Sequence, residues 1–308
     1  MKHPLFYAKI LLFGEYGIIE NSRGLTLPYN AYKGTLQFSS KLNKIESKSN
    51  KSLHKFADYL KTLSLPEKFS INISQLEKDI EKGMFFDSNI PQGYGVGSSG
   101  ALVAAIFDKY SVNKISSDKI LKTDLKDLKN VLGQMESFFH GKSSGIDPLI
   151  CYMNIPLLIQ PNADVDKIGL TESKDGKGAV FLINSGMPGE TEPMVQIFFE
   201  KLKNEGFRKT LKEEFIKYNN NCIDSFLNRD MGSFFQNLKH LSLWALDHFT
   251  PMIPRKFLKI WKKGIDTNTY YLKLCGSGGG GYILGFTQDY EATEKMLKNY
   301  KKEIVYRF

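Results

Sequence analysis

No run of apolar residues in this chain approaches the ~20 needed to cross a bilayer, so a membrane span is not expected. Cysteine is scarce. Cys151, Cys222 and Cys275 lie far apart and in no metal-type spacing, which argues against a disulfide framework or a zinc cage and makes a reduced, cytoplasmic setting the expectation. The histidines, at 3, 54, 140, 240 and 248, contain no His-Glu-x-x-His pair, and nothing matches the Gly-x-x-x-x-Gly-Lys-Ser/Thr of a Walker loop. The segment Met1 to Lys9 lacks a long apolar stretch, so no signal peptide is expected. Internal repeats and long low-complexity segments are also missing.

What is present is a globular composition, 42% hydrophobic and 24% charged, over 308 residues, a length that suggests two domains rather than one core. The net charge of +9 raises a nucleic-acid reading. The most basic stretch, Lys41 to Lys55, interleaves lysine with Asn, Ser and Glu and has few aromatics, which is the pattern of a solvated loop, so no nucleic-acid partner is expected. A basic surface also suits an enzyme with polyanionic ligands, whose local concentration it raises.

Along the chain, Lys9–Phe13 and Thr35–Phe38 read as short strands, with glycine turns at Gly14–Gly17 and near Gly24, and Phe69–Ile73 alternates as a half-buried strand does. Ala101–Phe107 is apolar on every side and predicts a buried helix. Leu125, Leu128, Leu132, Met135 and Phe139 recur at helical spacing, with Glu136 in the last turns. Beyond the polar linker near Asp175 come a strand at Val180–Ile183, three helical stretches between Glu192 and Phe249, strands at Tyr270–Leu274 and Tyr282–Phe286, a helix at Glu291–Tyr300 and a closing strand at Ile304–Phe308. The pattern is α+β: two domains, 1–175 and 176–308, each with a mainly antiparallel sheet covered by helices.

The densest chemical signal is Pro91 to Ala101, Pro-Gln-Gly-Tyr-Gly-Val-Gly-Ser-Ser-Gly-Ala, running straight into the apolar helix. Gly93, Gly95, Gly97 and Gly100 remove bulk so that backbone N–H groups can converge on an anion, and the helix N-terminus adds partial positive charge. Ser98 and Ser99 supply hydroxyls for phosphate oxygens or a cation. The bland alternative is a flexible loop before a buried helix. A Rossmann unit, and with it a NAD-dependent oxidoreductase, is disfavoured because Pro91 stands where a strand should enter the turn.

Three further segments carry chemistry. Between Glu136 and Asp147 two carboxylates flank a small-residue turn, and beside a phosphate cradle such groups can hold Mg²⁺ or accept a proton from an alcohol; a surface carboxylate and an Asp closing a turn is the plain alternative. Lys9 opens an apolar strand, where a cation either snorkels to solvent or biases a nearby carboxylate toward its ionised form. Cys275 to Gly281 is too rich in glycine to serve sheet stability, and it suggests close approach of backbone to a ligand or to another segment, against a merely flexible hairpin.

Together these segments resemble the GHMP kinases, the family of galactokinase, homoserine kinase, mevalonate kinase and phosphomevalonate kinase. Lys9–Pro28 is similar to the family's N-terminal motif, Pro91–Ala101 to its phosphate loop, Cys275–Gly281 to its C-terminal glycine loop, and Asn184–Thr191 to the segment that opens its second domain. Glu136–Asp147 resembles the mevalonate kinase form of the central segment, with His140-Gly141 and Ser144-Gly145-Ile146-Asp147 in the matching places.

The resemblance implies a ribosomal protein S5 domain 2-like N-terminal domain that binds ATP and a ferredoxin-like C-terminal domain. It implies Asp147 as base or orienter of the substrate hydroxyl with Lys9 as its partner, and Ser99 and Glu136 as Mg²⁺ ligands. It assigns Ser98, Ser99, Gly93, Gly95, Gly97, Gly100 and Gly278 to the nucleotide, and Glu15, Tyr16 and Thr191 to the substrate end. The expected function is ATP-dependent phosphorylation of the primary hydroxyl of (R)-mevalonate in isoprenoid precursor synthesis. Gly14-Glu15-Tyr16 together with Gly97-Ser98-Ser99-Gly100 is also similar to some phosphomevalonate kinases, so that choice stays open, as does another kinase of the family or a non-catalytic relative. The expected partner is a small molecule, with a homodimer neither required nor excluded.

Overall fold

A computed structural model describes residues 4–113, 120, 122–170, 172–173 and 175–308. The strands and helices in chain order are β1 (Phe6–Phe13), β2 (Gly24–Phe38), α1 (Lys44–Leu60), α2 (Ile73–Glu81), β3 (Met84–Ser88), α3 (Ser98–Tyr110), α4 (Lys122–His140), α5 (Ile146–Met153), β4 (Leu157–Ile159) and β5 (Val165–Lys167). They continue with β6 (Ala179–Asn184), α6 (Thr191–Leu202), α7 (Glu205–Thr210), α8 (Ile216–Leu227), α9 (Met231–His248), α10 (Arg255–Thr267), β7 (Tyr271–Leu274), β8 (Tyr282–Thr287), α11 (Tyr290–Met296) and β9 (Lys302–Arg307). Among the described residues no helix is long and apolar enough to cross a membrane.

The chain divides into two compact units, one of Met1–Lys9, Leu27–Pro91 and Gly97–Ile155, the other of Ile10–Thr26, Gln92–Val96 and Pro156–Phe308. In the first unit the end of β2 pairs antiparallel with β3, from Gly34 opposite Ser88 to Phe38 opposite Met84. Helix α3 is its core element: Val103 to Phe107 are all buried, as an apolar run without a polar face requires, and the helix packs on α4 and α5. Leu125, Leu128, Leu132 and Met135 line the buried stripe of α4. Since β3, the strand that leads toward the glycine loop, is antiparallel to its neighbour, the parallel unit of a dinucleotide fingerprint is not formed.

In the second unit β7, β8, β6 and β9 lie in that order, antiparallel throughout. The sequence β6, helices, β7, β8, α11, β9 with this order is the split arrangement of a ferredoxin-like domain, as expected. Phe13 stacks on Phe286 at 5.4 Å and meets Phe234 edge-on at 6.0 Å in its core. The three helical stretches expected after Glu192 are α6, then α7 running through a π turn at Leu211–Phe215 into α8, then α9.

Three expectations fail locally. Lys41 to Lys55 is not a solvated loop, because Asn43 accepts from the Ile45 and Glu46 amides and Glu46 returns the bond, closing a capping box that starts α1. Its lysines occupy the exposed face, and Leu53, Phe56, Ala57 and Leu60 the buried one. Phe69–Ile73 is not a strand: Asn72 accepts from Gln75 N and caps α2, leaving one isolated bridge between Ile71 and Ser111. Gly24 does not turn the chain but opens β2, pairing with Ile159 of β4.

Candidate active site

Helix α3 begins at Gly97, whose φ of +80° suits glycine and where an added Cβ would come within 2.8 Å of Lys9 Cγ. No side chain caps this end, so the first-turn amides of Ser98, Ser99 and Gly100 form the positive end of the helix. Gly100 has a second reason to lack a side chain: an added Cβ would sit 2.8 Å from the carbonyl carbon of Asp147 and 2.9 Å from Pro148 N. The starts of α3 and α5 are therefore in backbone contact. Gly145, the N-cap of α5 with φ of +75°, is equally constrained, since a Cβ there would collide with Lys129 O of α4. Asp147 occupies the first turn of α5 and is fixed in place by α3 on one side and α4 on the other.

Two carboxylates meet at this corner of the first unit. Lys9 Nζ lies 2.8 Å from Asp147 Oδ1, with the lysine side chain 5% exposed and the aspartate 37%. Ser99 Oγ donates to Glu136 Oε1 at 2.8 Å and Ser143 Oγ to Glu136 Oε2 at 2.5 Å. Glu136 is buried, and its pKa is pushed up to about 7, first by burial and then by the charge of Asp147, against the hydrogen bonds of Ser143 and Ser99 and the attraction of Lys9. Cys151 is buried nearby, its thiol pushed well up by burial and by the charge of Asp147, which favours the neutral form.

The donor set suits a hard divalent cation. Ser99 and Glu136 offer oxygens only, and a cation there would relieve the crowding of negative charge that drives Glu136 toward its protonated form. Among the described residues no group of three or more His, Cys, Asp or Glu is placed to hold a metal ion.

The remaining candidates are placed within the second unit. Gly95 and Gly93 have positive φ, but their missing side chains make room for protein: a Cβ on Gly95 would lie 2.5 Å from Cys275 O, and one on Gly93 2.8 Å from Pro188 Cβ. Gly278, with φ of +80°, approaches Met252 O in the same way. Thr191 is exposed at the start of α6, its hydroxyl 3.4 Å from that of Ser277. Glu15 is buried and paired with Lys273, and Tyr16 is buried with its hydroxyl on Ser277 O at 2.6 Å.

The structure sets Lys9 against Asp147 and Ser99 against Glu136, all four expected at the site, and adds Ser143 and Lys273, which the sequence reading did not single out. Lys273 carried the same signal as Lys9, a lone cation inside an apolar strand.

Residues 54–154 match the family model of the GHMP kinases N terminal domain. No curated protein matches the chain in sequence. Among solved structures it is similar to mevalonate kinase of L. major in complex with R-mevalonate, at 13% identity and a TM-score of 0.65, covering 97% of this chain and 90% of that one. Mevalonate kinase of Methanococcus jannaschii matches at 18% identity and a TM-score of 0.62, covering 100% and 99%. Phosphomevalonate kinase of Streptococcus pneumoniae, in complex with phosphomevalonate and AMPPNP, matches at 13% and 0.63, covering 99% and 100%. Residues 54–154 are thus similar to the GHMP kinase N-terminal domain, and the chain shares the fold of these solved kinases.

Proposed function

We propose that this chain is an ATP-dependent kinase that phosphorylates the primary hydroxyl of (R)-mevalonate, giving 5-phosphomevalonate and ADP. The observation that carries the kinase reading is the corner at which the uncapped start of α3, the Lys9–Asp147 pair and the Ser99–Glu136 pair meet. Phosphoryl transfer asks a protein mainly for positioning and for neutralisation of phosphate charge. The α3 amides and the Ser98 hydroxyl receive phosphate oxygens. Ser99 and Glu136 would hold Mg²⁺, which supplies neutralisation of the phosphates when bound.

Asp147 Oδ takes the proton of the acceptor hydroxyl or fixes its direction, as the O–P bond to the γ-phosphoryl forms and the bond to the ADP oxygen breaks. Lys9, buried behind it, holds the carboxylate in one rotamer and offsets negative charge at the reacting end. The choice of mevalonate is supported by the Glu136–Asp147 segment and by the likeness to mevalonate kinases. Gly14-Glu15-Tyr16 and the phosphomevalonate kinase likeness favour phosphomevalonate as the second reading.

The test is ADP release by the purified protein with ATP, Mg²⁺ and mevalonate, phosphomevalonate, diphosphomevalonate, homoserine or galactose. The expected result is the highest kcat/KM for mevalonate. A tenfold preference for phosphomevalonate, about 1.4 kcal/mol in transition-state terms, moves the assignment to the second reading. Absence of acceptor-dependent ADP release would overturn the kinase reading in favour of a non-catalytic relative.

A further inference from the structure

The Gly14-Glu15-Tyr16 turn, read from sequence as a substrate contact, is engaged inside the second unit. Tyr16 has φ of +61° and ψ of −38°, a region that a non-glycine residue occupies only when its surroundings over-determine it. Tyr16 is 7% exposed, its ring packed on Phe198 at 4.7 Å and Phe249 at 5.2 Å, and its one hydroxyl proton is donated to Ser277 O. The preceding residue, Glu15, pairs with Lys273, which stands two positions before Cys275, and both are buried. The turn thus grips the 275–281 loop twice, at its entry and at Ser277.

That loop needs outside support. Gly276, Gly278, Gly279 and Gly281 all have positive φ, so the segment has little stiffness of its own. It is also the surface on which the start of the phosphate-loop sequence rests: Gly95 abuts Cys275 and Gly276, and Tyr94 O accepts from Tyr282 N at 3.4 Å. Two residues after Gly95 the chain reaches Gly97 and the uncapped start of α3, where the kinase reading places phosphate.

We propose that Glu15, Tyr16 and Lys273 form a strut that fixes the 275–281 loop and, through it, residues 93–95, which makes them positioning residues for nucleotide phosphate rather than contacts to the acceptor. The nucleotide half of this statement rests on the kinase reading. The loop-fixing half does not.

Tyr16→Phe removes only the hydroxyl and keeps the ring packing, so it is the variant of choice. The second is the pair Glu15→Gln with Lys273→Met, which leaves no lone buried charge. Three quantities are read: amide hydrogen exchange at Gly279 and Gly281 without ligand, ATP affinity by calorimetric titration without acceptor, and the acceptor KM. The expected result for Tyr16→Phe is faster exchange at both glycines and ATP affinity weakened about fivefold, the usual worth of one hydrogen bond, with the acceptor KM unchanged. Unchanged exchange with unchanged ATP affinity overturns the strut, whether or not Tm falls. A rise in acceptor KM alone returns Tyr16 to the substrate. Should wild-type protein bind no ATP, the kinase reading fails, and the exchange measurement still decides whether the strut exists.

Discussion

Lys9 and Asp147 form a salt bridge in which only one partner faces solvent: the lysine side chain is 5% exposed and the aspartate 37%. The carboxylate is the accessible member and the ammonium its fixed backing, an arrangement suited to holding an acceptor hydroxyl. Asp147→Asn keeps an oxygen for Lys9 and so preserves most of the local geometry. It is expected to leave nucleotide affinity nearly intact while lowering kcat by at least ~10²-fold, the lower range for a positioned acid–base group. Single-turnover rates check this, and a rise in KM alone would mean that Asp147 merely binds substrate. Lys9→Met is expected to impair turnover as well.

Glu136 accepts from Ser99 and Ser143 at once, and a glutamine has one carbonyl oxygen for the two donors. Glu136→Gln is expected to raise the Mg²⁺ concentration for half-maximal activity, whereas Glu67→Gln, at an exposed site, should leave it unchanged. A Mg²⁺ titration of each variant decides the point, and identical curves would remove Glu136 from the coordination sphere.

The raised pKa of Glu136 fixes the sign of a pH effect in metal-free buffer. Between its ordinary 4.5 and about 7 the folded state holds a proton that the unfolded chain has released, so stability falls as pH rises through that window. The full cost above it is on the order of 3 kcal/mol. Thermal unfolding of wild type and Glu136→Gln should therefore diverge from pH 5 toward pH 8 in favour of the variant. Parallel curves would show that Glu136 titrates normally.

Gly100→Ala separates helix propensity from packing. In an open helix alanine gains about 1 kcal/mol over glycine. Here the added methyl meets the Asp147–Pro148 backbone at 2.8 Å, so α5 must shift, and with it the aspartate. Loss of kcat together with a lowered Tm is the expected outcome. A stabilised, active variant would show that the two helices have room to spare.

Much of this was legible in residue order. Helix α3 announced itself because an apolar run with no polar face has only the core to go to, and the Lys9, Ser99, Glu136 and Asp147 positions followed from recognisable motifs. Helix α1 was hidden because its buried apolar residues crowd into its C-terminal half, leaving Lys44 to Ser52 to look like loop, and only Asn43 and Glu46 betrayed the start. The Lys273–Glu15 pair and the Tyr16–Ser277 bond join residues 258 and 261 positions apart, a separation no local pattern encodes. The sequence reading sets Tyr16 at the substrate end, and in the structure its hydroxyl donates to Ser277 O, a carbonyl of its own unit.

The division of the chain also governs how it reaches the folded state. Neither unit is one stretch of sequence: the second combines Ile10–Thr26 and Gln92–Val96 with Pro156–Phe308. During synthesis Glu15 and Tyr16 emerge early and wait for Lys273 and Ser277, so closure of the second unit belongs to the last steps of folding. Until then Phe13 lacks Phe234 and Phe286, so an aromatic strand end stays without its folded-state partners, the kind of exposed apolar surface that favours aggregation.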